Sequence, residues 1–141
     1  MIEIPPEIYH LWGDHKTYIA QMELLVAVFV AMVELADLVR RSHGLWCIDN
    51  IAALMALVKG TSAVPSMDQL TKAMHLGAFA LEAQAYYEYV ESKANWSDEI
   101  SRLSIKGCWA ADNKFVVQHC SVAIFLLQLP CIAIVKVFAS L

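Results

Sequence analysis

The chain has 141 residues, enough for one domain with its own core and not comfortably two. Apolar residues make up 59% of it and mean hydropathy is +0.52, which points to a buried sheet, an uncovered partner surface or a membrane contact. The formal net charge of −4, with ten scattered basic residues, argues against an autonomous electrostatic grip on nucleic acid. It leaves open a nuclease that reaches phosphates through metal ions.

The amino-terminal stretch MIEIPPEIYH is acidic and lacks the charged-then-apolar pattern of a secretory signal. Pro5 and Pro6 make the approach to the first element extended. A long helix is predicted from about Thr17 to Arg41. Ile19, Met22, Leu25, Val26, Phe29, Val30 and Val33 place apolar groups around most of it, so several of its faces should be buried. Arg40 and Arg41 suit its carboxyl end, and Gly44 ends it.

Leu45–Ile48 reads as a buried strand bounded by Gly44 and Asp49-Asn50. Asn50 is a good N-cap for a helix over Ile51–Lys59, with Gly60 as its stop. After the loop TSAVPS, Ser66 and Gln69 form a capping-box pattern that predicts a helix from Met67 to about Gln84. Ala85–Glu91, rich in tyrosine, reads as a second strand. Ser92–Asn95 turns the chain. Asn95 or Ser97 then caps a helix through Asp98, Ile100 and Leu103 that Gly107 closes. Helices alternating with strands imply an α/β layer fold with parallel strands.

The remainder, residues 108–141, is expected to be an apolar carboxyl-terminal extension, helical over Val122–Phe138 and broken near Pro130. Leu24–Val33 and Ser121–Val135 are both shorter than the ~20 apolar residues a membrane-spanning helix needs. Cys47, Cys108, Cys120 and Cys131 form no C-x-x-C pair, which fits reduced thiols in an intracellular protein, cytoplasmic or nuclear. A zinc site from Cys108, His119 and Cys120 has no recognised spacing.

Three carboxylates are candidates for chemistry. Asp49 ends a predicted strand, and in open α/β sheets ligands gather beyond the carboxyl ends of the strands. The plainer reading is a turn residue ahead of the Asn50 cap. Glu23 lies among Met22, Leu24, Leu25 and Val26, where a carboxylate is costly unless exposed, paired or metal-bound. The plainer reading joins it to Glu34 and Asp37 in one solvated stripe. Asp98 opens a helix, which the helix dipole alone would favour.

Taken in order, three blocks resemble the ribonuclease H-like domains of retroelement reverse transcriptases, in the version found in tyrosine-recombinase retrotransposons. YIAQMELL (18–25) is similar to the first-helix motif with its catalytic Glu. CIDNIAALMALVKGTS (47–62) is similar to the strand-end Asp and its following helix. YEYVESKANWSDEISRL (87–103) is similar to the last strand, polar loop and helix supplying the final Asp. The resemblance covers about residues 5–107.

It implies a three-layer α/β fold and cleavage of the RNA strand of an RNA–DNA hybrid as part of a polyprotein. Two Mg²⁺ or Mn²⁺ ions about 4 Å apart would be held by Glu23, Asp49 and Asp98. Asn50, Ser92 and Asn95 would line the site, and Lys93 and Arg102 would contact phosphates. The family also uses an Asp on a first, central strand. No apolar strand ending in Asp precedes Glu23 here, and Asp14, in GDHKT, reads as a loop residue. The expected domain over 1–107 is therefore partial, with weak or no turnover. Its Leu45–Ile48 strand would carry an open apolar edge that invites a second copy or a partner chain. A non-catalytic remnant or interaction module, and a membrane-associated helical protein, are the alternative readings.

Overall fold

The computed structural model describes residues 2–4, 6–13, 17–95, 106, 112, 120 and 121. The elements are β1 (Ile2–Glu3), α1 (Pro6–Trp12), α2 (Ile19–Val26), a π-helical segment (Ala27–Glu34), α3 (Ala36–Val39), β2 (His43–Ile48), α4 (Ile51–Lys59), α5 (Pro65–Ala80), β3 (Gln84–Tyr89), a 3₁₀ turn (Ser92–Ala94) and β4 (Cys120–Ser121). The chain thus mixes helix with two small parallel sheets, β2 with β3 and β1 with β4. Among the described residues no helix is long and apolar enough to cross a membrane. The predicted helix around Asp98, the break near Pro130 and the Val122–Phe138 helix lie outside the described residues, as do Asp14, Cys108 and His119.

The long first helix is present but is not uniformly α-helical. Its core-facing residues Leu24, Val28, Met32 and Ala36 recur every fourth position and are all buried. An α-helix has 3.6 residues per turn, so a strict four-residue spacing drifts around it. The wider π turn, closed by i→i+5 bonds, drifts the other way. Combining the two keeps one row of side chains on the core.

α4 forms as its sequence directs. Asn50 Oδ1 accepts hydrogen bonds from the Ala52 and Ala53 N–H groups at 2.9 and 3.2 Å, and Gly60 closes the helix in the left-handed region at φ 72°. α5 differs from expectation at both ends. It starts at Pro65, whose fixed φ and missing N–H suit the first helical position. The loop before it is tied by Asp68 Oδ1, which accepts from Thr61 Oγ1 and the Ser62 N–H. Ser66 is therefore no cap: it is buried in the first turn, and its Oγ accepts from Gln21 Nε2 of α2 at 3.4 Å. The helix stops at Ala80 instead of Gln84 because Glu82 turns left-handed at φ 54°. The Ala83 N–H then reaches the Ala78 carbonyl and the Glu82 N–H reaches that of Phe79, a Schellman closure made without glycine.

Arg41, just before β2, is also left-handed at φ 57°. Its N–H donates to the Leu81 carbonyl, its guanidinium pairs with Glu82 at 2.9 Å, and the Gln84 N–H donates to the Ser42 carbonyl. These contacts set the register, in which Leu45 lies beside Tyr86 and Ile48 beside Tyr89. α2, α4 and α5 pack together, around Leu24, Leu25, Leu57, Leu70 and Met74, and α4 and α5 also meet the sheet. Ile48 is buried, and Trp46 and Tyr87 are packed against the core. The opposite face carries His43, Leu45, Cys47, Tyr86 and Glu88 and is exposed, Leu45 at 68%. β2 is thus half-buried, not enclosed on both faces as its apolar sequence suggested. Among the described residues, one partner strand and one helical layer lie against it.

Candidate metal centre

The parallel pairing of β2 and β3 delivers both strands' carboxyl ends to one edge. Asp49 follows β2 there, and Glu91 and the turn Ser92–Ala94 follow β3, whose exit is fixed by the Val90 N–H on the Ile48 carbonyl. α2 packs against α4 and α5 and brings Glu23 to the same edge. Glu23 and Asp49, 26 positions apart in the sequence, thereby become neighbours whose carboxyls act on each other, with the Asn50 N–H close enough to favour the Glu23 charge.

The electrostatics of this pair are distinctive. Desolvation by the helical layer, followed by the hydrogen bond and the negative charge of Asp49, pushes Glu23 up from 4.5 to about 7, against the smaller opposing pull of the Asn50 N–H. Glu23 Oε2 is buried and has no hydrogen-bond partner. A carboxyl oxygen that is shielded from water, unpartnered and beside a second carboxylate is a position that a cation would satisfy. Glu34 and Asp37 are exposed, so the solvated-stripe reading does not describe Glu23.

The other sequence-predicted site residues divide. Asn50 has two jobs: its side chain caps α4, and its backbone N–H serves Glu23. Ser92 and Lys93 are exposed in the 3₁₀ turn, and Asn95 is half-buried just beyond it, all on the chain segment leaving the Asp49 edge. Asp98 and Arg102 lie outside the described residues. Among the described residues, no group of three or more His, Cys, Asp or Glu side chains converges as a metal site. The centre there consists of two carboxylates and one backbone N–H. The Asn50 N–H was not anticipated from sequence. A cap residue directly after a strand-end carboxylate was the available signal, because it fixes the backbone where that carboxylate emerges.

No family model, no curated protein and no solved structure matches this chain.

Proposed function

We propose that the chain is a ribonuclease H-like domain of a reverse-transcriptase polyprotein, whose reaction is metal-dependent cleavage of the RNA strand of RNA–DNA hybrids. The observation that carries this reading is the meeting of Glu23 with Asp49 at the carboxyl ends of two parallel strands. Two residues chosen as metal ligands on sequence grounds are neighbours in space, in an environment that disfavours the charge of Glu23 unless a cation is present.

Glu23 and Asp49 fit a divalent ion in charge, donor type and position, with Asp98 as the third carboxylate of the resemblance. Bound there, Mg²⁺ or Mn²⁺ would activate water for attack on the scissile phosphate and stabilise the leaving oxygen. The protein's own part is to hold the carboxylates in place. The Asn50 N–H favours the charged form of Glu23, and the α4 cap fixes Asn50. Ser92, Lys93 and Asn95 follow β3 at this edge, and Lys93 would offer a cation to a phosphate.

Turnover by the chain as it stands is weak or absent. The sequence before Glu23 offers no apolar run ending in Asp to match the further Asp of the resemblance, and in such sites a misplacement of about 1 Å costs on the order of a hundredfold in rate. The second reading, a non-catalytic interaction module, draws on the exposed face of β2 and on its edge that no strand among the described residues pairs. A hybrid-cleavage assay with Mg²⁺ separates the two. The chain alone and the chain extended at its amino terminus by an apolar strand ending in Asp are compared, each with Glu23→Gln and Asp49→Asn. Gain of cleavage in the extended chain, lost in both variants, supports the nuclease. An extended chain that folds and binds Mn²⁺ but never cleaves favours the interaction module.

A further inference from the structure

We infer that the open edge of β2 is a homodimer interface, in which β2 of two copies pair antiparallel about a two-fold axis at Leu45. This does not rest on the nuclease reading.

The backbone decides which groups are free. The Ser42 and Ile48 carbonyls accept from the N–H groups of Gln84 and Val90 on the β3 side. Alternate residues of a parallel ladder face the same partner, so the even-numbered residues of β2 serve β3. The N–H and C=O groups of His43, Leu45 and Cys47 point to the other edge, where no strand among the described residues pairs with them. This set is self-complementary. With Leu45 opposite its own copy, His43 stands opposite Cys47 of the second copy and Cys47 opposite its His43. Each of these pairs is of the kind that exchanges two hydrogen bonds.

Charge selects the occupant and the direction. Arg40 and Arg41, the latter bridged to Glu82 within its own chain, lie at the start of β2 and Asp49 at its end. Antiparallel pairing lays the basic end of each copy on the acidic end of the other, twice. The strand itself carries no charged side chain, no proline and no bulge, so it lacks the usual devices that keep an edge from pairing. The outer edge of β3 is different. Glu88 lies within it and Glu91 follows it, with no basic residue at its other end to answer them, so two such edges would bring like net charge together. β2 is thus the edge that a second copy fits.

The test is sedimentation equilibrium of the full chain over micromolar to submillimolar concentrations. A dimer is expected whose dissociation constant rises several-fold at high salt, since its end charges become screened. Leu45→Lys, at an exposed position that leaves the core untouched, places two ammonium groups face to face and should raise the constant at least about tenfold. His43→Cys provides an independent readout. Residues 43 and 47 of one strand lie about 13 Å apart. Opposed across the dimer their Cα atoms lie about 5.5 Å apart, within disulfide range. Mild oxidation should therefore give a covalent dimer in His43→Cys and none in His43→Cys combined with Cys47→Ser. A chain that stays monomeric overturns the inference. So does a dimer indifferent to Leu45→Lys, or one in which the 43–47 bond does not form.

Discussion

Replacing Glu23 with Gln isolates the electrostatics of the candidate centre. The amide keeps an acceptor for the Asn50 N–H and offers a donor to Asp49, while removing a charge. In the wild type Glu23 is held at about 7, against 4.5 for an ordinary glutamate, first through desolvation and then through Asp49. The folded state therefore binds this proton more tightly than the unfolded chain does. Stability from the protonated carboxyl is fully present below about 4.5, falls as pH rises through about 7, and is absent above. The full shift corresponds to at most about 3 kcal/mol. Glu23 is only half-buried, and solvent screening reduces this to about 1–2 kcal/mol. In urea unfolding without divalent ions, Glu23→Gln should match the wild type near pH 4.5 and exceed it by about 1–2 kcal/mol at pH 8. The difference between the two proteins is the quantity to follow, since the other titrating groups cancel. A difference that is flat from pH 4.5 to 8 refutes the assignment of a raised Glu23.

Other measurements probe neighbouring parts of the argument. Millimolar Mn²⁺ at pH 8 should raise the wild-type Tm by linkage, and Asp49→Asn should abolish the shift; an unchanged wild-type Tm counts against a cation at this pair. Asp49→Asn should lower the Glu23 pKa only in part, because desolvation is its largest cause, and a carboxyl-resolved NMR titration reads this directly. Asn50→Ala should cost about 1 kcal/mol through loss of the α4 cap, and an unaltered denaturation midpoint would show the cap to be dispensable. Glu82→Gly should stabilise the chain by about 0.5–1 kcal/mol, because relief of a left-handed non-glycine residue exceeds the loss of an exposed ion pair; a marked loss of stability would contradict this.

Sequence made the β2–α4 unit almost fully legible, because its signals are local: an apolar run, a cap at Asn50 and a stop at Gly60. It also supplied Glu23 and Asp49 as candidates, through their place in ordered motifs. It could not show that they meet, since that depends on α2 packing against α4 and α5. The errors arose where distant contacts overrode local pattern. Ser66 looked like a cap, but Gln21 of α2 claims it. Glu82 ended α5 in a conformation usually left to glycine. The first helix read as uniformly α because a four-residue apolar spacing does not by itself announce a π turn. Leu45 and Cys47 read as buried because their apolar character says nothing about how many layers cover a sheet.

The bridge between Arg41 and Glu82 also bears on the order in which the chain assembles. The contact joins residues 41 positions apart. Closing a flexible loop of that length costs roughly 3 kcal/mol in chain entropy beyond a constant term. An exposed ion pair returns at most about 1 kcal/mol. The bridge cannot gather the two strands by itself. α4 and α5 must first condense on each other and shorten the path, after which the strands align and the bridge locks them. Glu82→Gln, which breaks the bridge without relieving the left-handed backbone, should therefore speed unfolding while leaving the refolding rate nearly unchanged, whereas truncating Leu57 or Met74 in the helical layer should slow refolding.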